Sequence, residues 1–160
     1  MNKFSIALLV TATAFGFQAA DASAKVHHKH KSHHKAMHYA SAAVVARIDI
    51  SSQRLTVSVN GQNYGSWPVS TARAGYHTPR GTYGAIRMAR VYYSKKYDMS
   101  PMPNSVFFYG GYAIHGTYHV SGLGRPASHG CVRLAPVNAA QLYSLVARYG
   151  MGNTRIVITD

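Results

Sequence analysis

In 160 residues the chain carries 17 Lys and Arg against four Asp and no Glu, with one Cys and a formal charge of +13 at neutral pH. A single Cys excludes an internal disulfide framework and a Cys-rich metal knuckle, and acids scattered at Asp21, Asp49, Asp98 and Asp160 speak against paired-carboxylate catalysis of the glycosidase type. The length is that of one domain, and a hydrophobic share of 47% is enough for a packed core.

The first element is a leader. Lys3 supplies a positive start, Phe4 to Phe17 an apolar stretch, and Ala22-Ser23-Ala24 a small-residue cleavage site, which is the pattern of a secretory signal over residues 1–24. The apolar run is diluted by Thr11, Thr13 and Gly16 and is shorter than a membrane span. The expected location is therefore the periplasm or cell envelope, with no transmembrane segment after signal removal. Residues 25–42 follow as an arm; from 25 to 40 it holds four Lys and six His with almost nothing to bury. That composition predicts disorder, and its charge suits either adhesion to an anionic cell-envelope surface or simple solubilisation.

Strand patterning opens the domain of residues 43–160. Ala43 to Ile50 is a short apolar run, and Arg54 to Val59 alternates, with Leu55, Val57 and Val59 on one face. Asn60-Gly61 is a strong hairpin signal returning the chain through Tyr64 to Val69, where Pro68 indicates an edge or a bulge. The turn Thr78 to Gly81 leads into a strand-like run from Thr82 to Met88. Val91 to Asn104 is polar and rich in Tyr, Ser and Pro, and reads as an excursion. Val106 to Tyr109 and Tyr112 to His115 are short strands around Gly110-Gly111. One helix is expected from Pro136 at its first position through Tyr149, with Leu142, Leu145 and Val146 at helical spacing and Gly150 as its cap. Arg155 to Thr159 forms a last strand. The domain is thus mostly β, with one helix packed on a sheet.

The chemical signal lies between residues 113 and 134. Cys131 follows Ser128, His129 and Gly130 and precedes Arg133. A cysteine nucleophile needs its thiolate fraction raised, as a nearby imidazole or guanidinium does. Gly130 lets the backbone approach a reacting carbonyl, and N–H groups of the turn can face an oxyanion. Three imidazoles compete to be the base. His115 ends a strand and comes from elsewhere in the chain, as in assembled Cys-His pairs; His129 is only two residues from the thiol, and His119 lies on a loop. A zinc site built from His115, His119, His129 and Cys131 is disfavoured by the Gly-rich, non-helical spacing and the lack of a neighbouring carboxylate.

His115-Gly116-Thr117, followed sixteen positions after His115 by the Cys of Ser128-His129-Gly130-Cys131-Val132-Arg133, closely resembles the signature of the L,D-transpeptidase (YkuD-like) catalytic domain. Thr78-Pro79-Arg80-Gly81-Thr82-Tyr83 and the aromatic, Gly-rich stretch Phe108 to His115 resemble two further elements of that family. The resemblance implies a β-sandwich-type domain with one main helix. It implies Cys131 as the acyl-accepting nucleophile, His115 as the base, and the carbonyl of Gly116 as the group that orients it. It places Arg133 on a substrate carboxylate, with His129, Ser128, Tyr112 and Thr117 on the substrate side of the pocket. No cofactor and no metal are implied. The partners implied are peptidoglycan stem peptides, the thioester passing from the third stem residue to an amine of a second stem. Water as acceptor would make a carboxypeptidase, a surface protein's amine would make an anchoring enzyme, and loss of chemistry would leave a basic wall-binding module. The export signal and the absence of a basic aromatic reading motif exclude nucleic acid as a partner.

Overall fold

The computed structural model describes residues 42–160. The leader, and all but the last residue of the arm, lie outside the described residues.

Three antiparallel strands open the fold: β1 (Val44–Asp49), β2 (Arg54–Val59) and β3 (Gln62–Pro68). The turn between the last two has positive φ at both Asn60 (50°) and Gly61 (81°), the backbone that an Asn-Gly pair adopts most readily. β3 is an edge strand, so Pro68 withdraws no N–H from an interior ladder. β11 (Thr154–Thr159) then runs parallel to β1 over six residue pairs. β4 (Gly81–Gly84) completes a sheet of order β3-β2-β1-β11-β4.

A second sheet has the order β10-β9-β8-β5, built from β5 (Arg87–Ala89), β8 (Ser105–Tyr109), β9 (Tyr112–Gly116) and β10 (Val132–Leu134). The run from Thr82 to Met88, expected as one strand, is divided. β4 pairs with β11 in the first sheet and β5 pairs with β8 in the second, so the chain crosses between sheets at Ala85-Ile86. The excursion carries a two-stranded ribbon of its own, β6 (Tyr93–Ser94) with β7 (Ser100–Pro101).

The inner faces of the two sheets share one core. Val44, Ile48, Leu55, Val57, Ile156 and Ile158 come from the first sheet, and Val106, Phe108, Ile114, Val132 and Leu134 from the second. Each such side chain taken from water contributes about 1.5–3 kcal/mol before chain entropy is charged against it. The single helix, α1 (Pro136–Tyr149), adds Ala139, Leu142, Leu145 and Val146 to the same core. It starts at Pro136 and ends at Gly150, whose φ of 90° is favoured only for glycine. This is the mostly β, sandwich-type architecture with one main helix that the sequence predicts.

Alternation in the second sheet then decides where the chemistry lies. Ile114, Val132 and Leu134 point into the core, so His115, Cys131 and Arg133 point out of the opposite face. On that outer face a smaller apolar cluster of Phe107, Ala113 and Met102 packs against Tyr92 and Cys131. Met102 and Tyr92 belong to the excursion, which therefore overlies the outer face.

Candidate active site

β9 and β10 run parallel with Arg133 opposite His115 and Val132 opposite Ile114. One residue before Val132, Cys131 falls on the same face as Arg133, one side-chain period away. His115, Cys131 and Arg133 line a cavity of about 590 Å³ between this face and the excursion, together with Thr117, Ser128 and His129. A cavity of that size is in the range that holds a small-molecule or peptide segment.

His115 is 5% exposed, and its Nδ1–H donates to the carbonyl of Gly116 at 2.7 Å, which leaves Nε2 as the free acceptor. Burial pushes the imidazole down to about 4; the Gly116 carbonyl opposes this and the Arg133 charge adds to it. His115 is thus neutral across the physiological range, with Nε2 able to accept a proton. Gly116 is held in turn by its N–H to Pro103 O at 2.8 Å, and a β-carbon there would meet Pro103 Cγ at 3.0 Å.

The Cys131 thiol is half-buried, with the Gly111 carbonyl as its nearest acceptor at 4.0 Å. Burial pushes the thiol above its ordinary value, while the Ala113 backbone and the Arg133 charge pull it down by less. Neighbouring positive groups were expected to enrich the thiolate; desolvation outweighs them. Alkylation of Cys131 by iodoacetamide should accordingly be slow at neutral pH, with a rate inflection at higher pH than that of an ordinary exposed thiol. A rate already at its plateau at pH 7 would reveal a resting thiolate and contradict this geometry.

The loop before the thiol is fixed by buried polar contacts. Ser128 Oγ accepts the Gly130 N–H at 2.9 Å, so that N–H is already committed and does not face the cavity as an oxyanion donor. Thr78 Oγ1 donates to the Gly130 carbonyl at 2.8 Å and accepts from the Ala72 N–H. The N–H groups of Ala127 and Ser128 both reach the Thr71 carbonyl, and Thr71 is clasped by the buried Gln53 side chain through its N–H and hydroxyl. On the far side of β10, Ser70 and Arg133 exchange two backbone hydrogen bonds.

The remaining residues are placed as follows. Arg133 is half-buried, its Nη1 donating to the Ala127 carbonyl at 3.3 Å, and burial foremost pulls its guanidinium below the usual value. Thr117 is buried beside His115 in the cavity wall. The His129 ring lies flat on Tyr97 (centroids 4.3 Å, 11° between planes) and edge-on to Tyr76 at 4.7 Å. Its Nε2 accepts from Arg73 at 2.7 Å, and partial burial, then the charges of Arg73, Arg133 and Lys96, hold it below its ordinary value. With Nε2 occupied, His129 is not available as a base. His119 lines the cavity from an exposed loop. Tyr112 does not line the cavity: its ring packs on Gly130 and towards His77 and Tyr109. Among the described residues no group of three or more His, Cys, Asp or Glu is placed to hold a metal.

A sequence profile of the L,D-transpeptidase catalytic domain (YkuD) matches residues 43–158. The chain belongs to this family. Among solved structures it is similar to an L,D-transpeptidase from Mycobacterium smegmatis (26% identity, 74% of this chain and 59% of that one, TM-score 0.64). It is also similar to L,D-transpeptidases from Stackebrandtia nassauensis (26%, 81% and 62%, TM-score 0.66) and Xylanimonas cellulosilytica (26%, 76% and 62%, TM-score 0.63). The chain spans about three fifths of the length of these relatives. A search of curated proteins returns no match. No helix among the described residues is long and apolar enough to cross a membrane.

Beyond the L,D-transpeptidase motifs, the structure adds Arg73, Tyr76, Lys96 and Tyr97 to the surroundings of the site. Sequence reasoning missed them because they lie 34 or more positions before Cys131, in segments without a motif. The cluster of Tyr and Lys at 92–97 was the one available signal.

Proposed function

We propose that the protein is an exported L,D-transpeptidase that cross-links peptidoglycan stem peptides in the periplasm or cell envelope. Residues 1–24 direct export, residues 25–40 of the arm contact the anionic envelope surface, and residues 43–160 catalyse. The observation that carries this reading is His115, fixed by the Gly116 carbonyl with Nε2 free, in one cavity with the Cys131 thiol and the Arg133 guanidinium.

Cys131 Sγ attacks the carbonyl of the third stem residue, a diamino acid, as its proton passes to His115 Nε2. The tetrahedral intermediate collapses with cleavage of the bond to the terminal D-alanine, whose nitrogen takes that proton from the imidazolium and leaves as the amine. The acyl group remains on sulfur as a thioester. An amine of a second stem then attacks the thioester, gives its proton to His115, and the returning thiol recovers it. The product is an amide between two third residues. Arg133 receives the carboxylate nearest the scissile bond, a contact its planar fork matches. Thr117 and Ser128 shape the wall, His129 braces the cysteine loop, and Tyr112 supports that loop from behind. No step needs a metal or cofactor.

Incubating the full chain with tetrapeptide-containing sacculi tests the proposal. The expected result is an acyl mass added to Cys131, mapped by peptide fragmentation, and a new tetrapeptide-to-tripeptide dimer among the released muropeptides. Free tripeptide alone would make water the acceptor and the protein a carboxypeptidase. Neither adduct nor product would leave a non-catalytic wall binder.

A further inference from the structure

The cavity is electrostatically one-sided. Lys95, Lys96 and Arg133 line it, and among the described residues no Asp or Glu does. The one ion pair among the described residues, Arg80 with Asp160, does not line it. Two cationic poles thus face the same space from different walls. Arg133 belongs to the sheet floor beside the thiol, and Lys96 belongs to the turn that joins β6 to β7 and lines the cavity from the excursion. One carboxylate bound at the floor answers only the first pole.

The second pole is not on a free-hanging loop. Tyr97, next to Lys96, lies flat on the His129 ring at 4.3 Å, and His129 precedes Cys131 by two residues. Lys96 Nζ is 5.5 Å from the centre of the Tyr97 ring, which holds the ammonium beside the same stack. Arg73 and Tyr76 hold the other side of His129. The Lys96 charge is therefore tied in position to the cysteine loop, which is what a contact needs in order to select a substrate.

We propose that Lys96 is a specificity-determining contact that receives a second substrate carboxylate, the one at the end of the third residue's side chain, while Arg133 holds the carboxylate at the scissile bond. The inference rests on the transpeptidase reading and adds to it a preference for a third residue whose side chain ends in a free carboxylate over one whose end is amidated. An ammonium–carboxylate contact in a partly enclosed cavity is stronger than one to a neutral amide, and it is weakened by salt.

The test compares two synthetic tetrapeptide stems that differ only in a free carboxylate or a carboxamide at the end of the third side chain. With the full chain, kcat/KM should favour the free carboxylate by about tenfold, the scale of one charge-assisted contact. The preference should shrink as salt is raised. Lys96→Met should bring the ratio to about one, Lys96→Glu should invert it, and Lys96→Arg should restore most of it. Lys96 is exposed, so these variants are expected to fold. A wild-type protein that turns over both stems equally, or a Lys96→Met variant that keeps the wild-type ratio, would overturn this inference and leave the transpeptidase reading standing. Absence of acylation with both stems would overturn the transpeptidase reading and this inference with it.

Discussion

Replacing His115 by Gln should lower the rate of Cys131 acylation by about a thousandfold, the scale of a lost general base. The size of the loss follows from the state of the thiol. Burial raises it above its ordinary value, so at neutral pH almost no thiolate stands ready, and attack depends on a base that removes the proton during the reaction. Gln offers no such base while filling a similar volume beside Gly116. The pH dependence follows from the imidazole. Its value in the folded protein, about 4, lies below the ordinary 6.5, so it stays neutral and able to accept a proton until the pH approaches 4. For the wild-type protein kcat/KM should therefore be nearly flat from pH 8 to 5 and fall only below that. An acid limb centred near pH 6.5 would place the base in water rather than in this buried site. A His115→Gln variant acylated at the wild-type rate would remove His115 from the chemistry altogether.

What could be read from the sequence was local. The helix was legible because Pro136, the spacing of Leu142, Leu145 and Val146, and Gly150 all belong to one continuous segment. The Asn60-Gly61 hairpin was legible for the same reason, since the conformational demand falls on the two residues that show it. The break between β4 and β5 was not. The apolar residues from Thr82 to Met88 suit burial in either sheet, and only the partners, Ile156 on one side and Val106 on the other, decide which. The parallel pairing of β1 with β11 joins the two ends of the domain and leaves no mark on either strand.

The site divides in the same way. Motif resemblance named His115, Cys131 and Arg133, but not the parallel register that sets Arg133 opposite His115 and turns all three away from the core. Residues 132–134 read as part of a motif, and their second role as a strand with Val132 and Leu134 in the core was hidden behind it. The thiol was judged by its charged neighbours in sequence, whereas its titration is governed by burial, a property of the whole fold. Tyr97 shows the limit most clearly. It looked like one more polar aromatic of the excursion, and it is the ring on which His129 rests.

Gly130→Ala should be the most damaging single-methyl change in the domain. The backbone there has φ of 129°, a region that side-chain-bearing residues rarely enter, and an added β-carbon would lie 2.5 Å from Tyr112 Cε1 and 2.8 Å from the His77 carbonyl oxygen. The Tyr112 ring can rotate, but the carbonyl is backbone, so relief requires the segment from Ser128 to Cys131 to move. That movement strains the hydrogen bonds that position the loop, from the Gly130 N–H to Ser128 Oγ and from Thr78 Oγ1 to the Gly130 carbonyl. Strain and overpacking together should cost about 3 kcal/mol and lower the melting temperature by roughly 10 °C. A thiol displaced by about an ångström should also react about a hundredfold more slowly with a tetrapeptide stem. Gly124→Ala separates the two causes: its φ is 83°, but nothing lies within 4 Å of the added carbon, so it tests backbone strain without the collision. It should cost about 1 kcal/mol and leave acylation intact. If thermal melts and acylation rates of the two variants coincide, the collision at Gly130 is relieved without moving the thiol, and the requirement for glycine before Cys131 is conformational only.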